Sequence, residues 1–115
     1  MNNELHDIRT EIVTIETQNK HIVSFESKGH ASLSNGKKGE NLVCAAVSVL
    51  VQTLYLYLKK EGLLQKEEIK DGYLLMILNL KPEEIIRNSF DIILTGLETL
   101  KKQHPEDIEL LYKQI

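Results

Sequence analysis

The stretch LVCAAVSVLVQTLYLYL, residues 42–58, is apolar on nearly every side. It is too long for an ordinary strand, so it predicts a helix. A helix apolar all round should be buried all round. Sheet can cover one flank, and a second helix or a partner subunit must cover the rest. Asn41 stands before it as an N-cap, and Gly62 closes it.

The flanking segments supply the sheet. Arg9 to Glu16 carries Ile12, Val13 and Ile15 among threonines, a β-type composition. Gln18 and Asn19 interrupt it, and His21 to Lys28 alternates as Val23, Phe25 and Ser27, which predicts a hairpin. Gly29 to Glu40, with three glycines, reads as a long loop of the kind that is often functional. Beyond the helix, Leu64 to Lys70 is read as a strand and Asp71-Gly72 as a hairpin turn. Tyr73 to Leu80 reads as a central strand, apolar on both faces. Pro82 falls in a first helical turn with Glu83 and Glu84. Ile86, Phe90, Ile93, Leu97 and Leu100 then form one helical stripe, ended by His104-Pro105. Asp107 to Ile115 is a short strand or a frayed helix. The expected order is ββαββα(β). That makes a single domain over residues 1–115, a two-layer α+β sandwich with a mixed or antiparallel sheet and two main helices.

Composition narrows the function classes. The 115 residues carry a net charge of −3, so no overall basic field draws the chain to phosphate backbones. With two Phe and no Trp, an RNA-binding α+β domain lacks its stacking groups. The apolar run is read as falling short of the roughly 20 residues of a membrane span. The polar stretch Met1 to Thr10 has no signal-peptide core. One cysteine makes no internal disulfide, and these features together favour a reducing cytoplasm.

That cysteine, Cys44, has two readings. With Asn41 as N-cap it stands in the first helical turn, where free N–H groups and the helix dipole lower a thiol pKa and can hold an oxyanion. It is otherwise a small buried hydrophobe. His30, at the end of a strand, is either the base a cysteine nucleophile needs or an exposed loop histidine. Gly29 before it would let another backbone approach closely. Asn41 caps the helix or orients the imidazole. Ser48, one turn after Cys44, bonds near the thiol or back to its own helix. Gly36-Lys37-Lys38-Gly39 lacks the ending of a phosphate loop. With one Cys and no close His pair, no zinc or other metal site is expected, and no cofactor.

Gly29-His30-Ala31, followed by Gly39-Glu40-Asn41-Leu42-Val43-Cys44-Ala45-Ala46-Val47-Ser48, resembles the signature of the Prp family. Asp71-Gly72-Tyr73-Leu74, Gly96 to Leu100 and His104 to Ile108 extend the resemblance over nearly the whole chain. It implies a bacterial cysteine endopeptidase that removes a short N-terminal extension from a large-subunit ribosomal protein precursor. It further implies a homodimer without metal, with Cys44 as nucleophile, His30 as base and Ser48 in support. Two departures stand out. Asn41 replaces the family's Asp, and the loop Ala31 to Glu40 is longer and carries Lys37 and Lys38. A non-catalytic ribosome-associated binding protein is the alternative these departures leave open.

Overall fold

The computed structural model describes residues 11–29 and 38–115, apart from the side chains of residues 38–41. Two β-rich segments open the chain because Val, Ile, Thr and Phe fit a pleated, half-buried surface. They are β1 (Glu11–Gln18) and β2 (His21–Lys28). Asn19 and Lys20 join them, both with positive φ, at 52° and 71°. A two-residue turn of this kind matches the twist of its strands. Gln18 belongs to the strand, so the turn is one residue later than the sequence predicts.

Helix α1 (Lys38–Lys60) follows, then β3 (Leu64–Lys70), β4 (Tyr73–Leu78), α2 (Glu83–Gln103) and β5 (Ile108–Gln114). The five strands form one sheet in the order β3-β4-β2-β1-β5. Only the β1–β5 pair is parallel; the other pairs are antiparallel. The last segment is therefore a strand, and the chain makes a mixed-sheet α+β sandwich in the expected order.

One face of the sheet carries the core. Val13 and Ile15, Phe25, and Leu74, Met76 and Leu78 are buried at alternate positions of three neighbouring strands. The face of α1 that bears Val43, Val47, Val51, Leu54 and Leu58 packs into the same core. So does the α2 stripe of Ile86, Phe90, Ile93 and Leu97. Phe25 and Phe90 meet edge to face at 5.7 Å across the layers. At Gly96 the two helices approach closely, because an added Cβ would stand 3.1 Å from Leu50 Cδ1.

Several expectations change. β4 is an interior strand apolar on both faces, as read, but only Leu74, Met76 and Leu78 are buried, while Tyr73, Leu75 and Ile77 on the other face are half-buried. Pro82 is the N-cap of α2 and not its first helical residue. Segment Leu42–Lys60 is, by length and composition, long and apolar enough to cross a membrane, contrary to the sequence reading. In this fold one side of it is the core, and the other leaves Leu42, Val49 and Leu56 more than half exposed. The apolar helix is thus not buried all round. Tyr55 is buried, donating to Glu67, while Tyr57 is exposed. Gly62, with φ of 74°, ends α1. Its N–H reaches Lys59 O and that of Leu63 reaches Leu58 O, both at 3.0 Å, as in a Schellman cap.

Candidate active site around Cys44

Helix α1 begins at Lys38, so Asn41 lies inside it and does not cap it. Its side chain lies outside the described residues. Cys44 consequently sits beyond the first turn, where backbone N–H groups already bond to carbonyls four residues earlier. The expected free N–H groups at the thiol, as dipole terminus or oxyanion hole, are not supplied by this helix. The sequence misplaced the start because Gly39 and the charged Lys38 and Glu40 look like loop, although α1 includes them.

Cys44 is buried, with 7% of the residue exposed. Burial, a hydrogen bond to Glu11 and the charge of that carboxylate push its thiol up to about 12. The expectation of a lowered pKa is thus reversed in this state, for the two reasons that raise any thiol: desolvation and a neighbouring anion.

Sequence reasoning passed over Glu11. It starts β1 on the same face as Val13 and Ile15, since side chains two apart share a face. That face is the helix side, so Glu11 is 5% exposed and meets Cys44 of α1. Its backbone N–H donates to Asp107 O at 2.9 Å, tying the β1 start to the β5 entry. The available signal was its phase with Val13 and Ile15, which places a carboxylate on the core side.

Gly29 follows β2 directly and is the strand neighbour of Glu11, one step beyond the Ile12–Lys28 pair. A Cβ on Gly29 would overlap the Glu11 carboxylate. The bare glycine therefore admits a side chain, and not the backbone that the sequence suggested. Its N–H donates to Gly72 O at 3.0 Å, which links β2 to the β3–β4 turn.

Glu11, Gly29, Ser48, Gln52, Ile69 and Tyr73 lie around a cleft of about 340 Å³ between α1 and the β3–β4 hairpin. Ser48, half-buried, is one helical turn from Cys44 and opens onto this cleft. The Tyr73 hydroxyl donates to Glu26 at 2.8 Å, and that bond, with some burial, pushes it up to about 12. The structure thus brings Ser48 and Gly29 together around one opening, which Glu11 also lines, and Cys44 lies buried behind it against Glu11. His30 lies outside the described residues. Of the loop read from Gly29 to Glu40, residues 30–37 lie outside them too, and Lys38 to Glu40 belong to α1.

The family model described as cysteine protease Prp matches residues 11–109. No curated protein matches. Among solved structures, SMU.848 from Streptococcus mutans superposes with a TM-score of 0.77 at 24% identity, over 100% of both chains. The ribosomal processing protease Prp from S. aureus in complex with a substrate peptide superposes with a TM-score of 0.77 at 18% identity. The alignment covers 90% of this chain and 100% of that one. The same S. aureus protease with a covalently linked product peptide gives 0.73 at 21% identity, with the same coverage. At these identities the likeness establishes the fold.

Proposed function

The chain belongs to the cysteine protease Prp family, and from that premise we propose that it is a cysteine endopeptidase acting through Cys44. Its substrate in this reading is a large-subunit ribosomal protein precursor, cut to remove a short N-terminal extension. The observation that carries the proposal is that Cys44 lies one helical turn from Ser48, which lines a cleft of about 340 Å³. The S. aureus relative, whose structure includes a substrate peptide, supports a peptide ligand for this fold.

In the proposed reaction, Cys44 Sγ attacks the scissile carbonyl and the S–C bond forms. His30 takes the thiol proton and passes it to the leaving amine as the C–N bond breaks. Water, deprotonated by His30, then hydrolyses the thioester and regenerates the thiol. Burial and Glu11 raise the thiol pKa, so proton removal is part of the step in which Cys44 attacks. Ser48 lines the cleft within reach of the reacting end and supports the bound peptide. Asn41 offers no charge to the imidazolium, and Lys37, before α1, and Lys38, its first residue, add positive charge there.

The test is cleavage of a recombinant ribosomal protein precursor with its N-terminal extension, followed by mass spectrometry. Wild type should release the extension and Cys44→Ala should not. Intact precursor after prolonged incubation with wild type rejects the reading. The second reading is a non-catalytic ribosome-associated binding protein, favoured by the protonated thiol and by Asn41. It predicts retained peptide binding with no cleavage.

We also assign the protein to the cytoplasm and to a homodimer. The exposed apolar side of α1, with Val49 and Leu56, and Ile92 on α2 support a covering second copy. A clean monomer by light scattering at micromolar concentration would reject the dimer.

A further inference from the structure

Glu11 is a buried carboxylate with a built place in the fold. Its strand phase points it at the helices, Gly29 leaves it room, and Cys44 is its hydrogen-bond partner. A buried carboxylate is costly without partners, so a charged residue held here needs a use or a compensation.

We propose that Glu11 is a positioning residue for the nucleophile, storing Cys44 in the free protein as a protonated thiol whose S–H donates to the Glu11 carboxylate. The reading rests on the protease proposal for its use. A thiol stored this way is protected from adventitious alkylation and oxidation, which act on thiolates. Glu11 exchanges no bond in this role; it holds the S–H in one direction and opposes its ionisation.

The other titratable groups near the pair come from each packed element. The cleft carries Tyr55 from α1 and Lys70 and Tyr73 from the β3–β4 hairpin. On β5 and its entry, Asp107 and Glu109 flank Ile108, the residue paired with Glu11. Asp107 is itself 3.9 Å from His104. His30 follows Gly29 in the chain. All of these are common to wild type and a Glu11 variant, so a difference between the two proteins reports Glu11.

The experiment measures the rate of Cys44 alkylation by iodoacetamide against pH in the full chain without peptide. Wild type should react slowly near neutrality, with its rate rising only in strongly alkaline buffer. Glu11→Gln keeps the shape and removes the charge. Its profile should move to lower pH, with the neutral rate increased about tenfold for each pKa unit lost. Glu11→Asp, which draws the carboxylate back, should fall between the two and serves if the Gln variant does not fold. A variant profile superimposable on wild type, or a slower one, overturns the proposal. Failure of the protease reading appears separately, as uncut precursor with the wild-type protein, and leaves the alkylation result intact.

Discussion

The absent side chain of Gly29 is the space that the Glu11 carboxylate occupies. The two residues are neighbours on adjacent strands, on the face turned towards α1. A Cβ at Gly29 would overlap both carboxylate oxygens. Because Glu11 is also bonded to Cys44, a change at the strand end reaches the thiol through one side chain.

Gly29→Ala should therefore act on both stability and the thiol. The displaced carboxylate loses its seat in a tightly packed layer, where overpacking costs about 1–3 kcal/mol. Urea unfolding should show the midpoint falling without a change in slope. Thiol alkylation at neutral pH should rise in the same variant. An unchanged midpoint would mean that Glu11 has another place to go.

Cys44 should also leave a mark on stability at high pH. Its ordinary value is 9.0 and its folded value is about 12, raised by burial and then by Glu11. Below about pH 9 both folded and unfolded thiols are protonated, and the contribution is fully present. Between about 9 and 12 the unfolded chain ionises first, so stability is lost as pH rises. Tyr73 is held up to about 12 by its bond to Glu26, and Tyr112 by partial burial and Glu98, so they titrate in the same window. The useful quantity is thus the difference between wild type and Cys44→Ala. Urea midpoints at about pH 8 and pH 10.5 should fall more steeply for wild type.

The two phenylalanines that join the layers should dominate the core. Phe25 and Phe90 are both fully buried and in edge contact. Phe90→Ala should cost about 3–5 kcal/mol, since it empties the seam between sheet and α2. Thermal or urea unfolding measures it directly. A loss below 1 kcal/mol would mean that the helices can close over the gap.

Gly62 and Gly96 separate two reasons for keeping a glycine. At Gly62 nothing lies within 4 Å of an added Cβ, but φ is +74°. Gly62→Ala should cost about 1 kcal/mol from backbone strain alone. At Gly96 the helical backbone accepts alanine, but Leu50 lies 3.1 Å away. Gly96→Ala is thus a packing test. It should stabilise by a few tenths of a kcal/mol if Leu50 rotates aside, through better helix propensity. It should destabilise if α1 and α2 are forced apart. Parallel unfolding curves for the two variants distinguish strain from crowding.

Local chemistry made most of the elements readable before any coordinates. The alternation of Val23, Phe25 and Ser27, the Asp71-Gly72 turn and the stripe from Ile86 to Leu97 each carry their own period. The family resemblance around Cys44 was legible too, because it rests on residue identity. The start of α1 was not legible, since glycine and charged residues at 38–40 have weak local preferences that tertiary packing overrides. Of the two readings of Cys44, its burial matches the buried one, and its ionisation was not legible: a thiol pKa depends on what surrounds it, and Glu11 is 33 positions away in a chain of 115 residues.

The sequence by itself determined the strand and helix order, the apolar faces and the presence of a single cysteine in a recognisable setting. Periodicity and turn chemistry are local properties, carried by neighbours along the chain. Only the tertiary structure decided that the first residue of β1 faces the helix layer, that Gly29 makes room for it, and that Cys44 is buried against it. Those facts depend on strand register and burial, which come into being when distant segments pack and water is excluded between them.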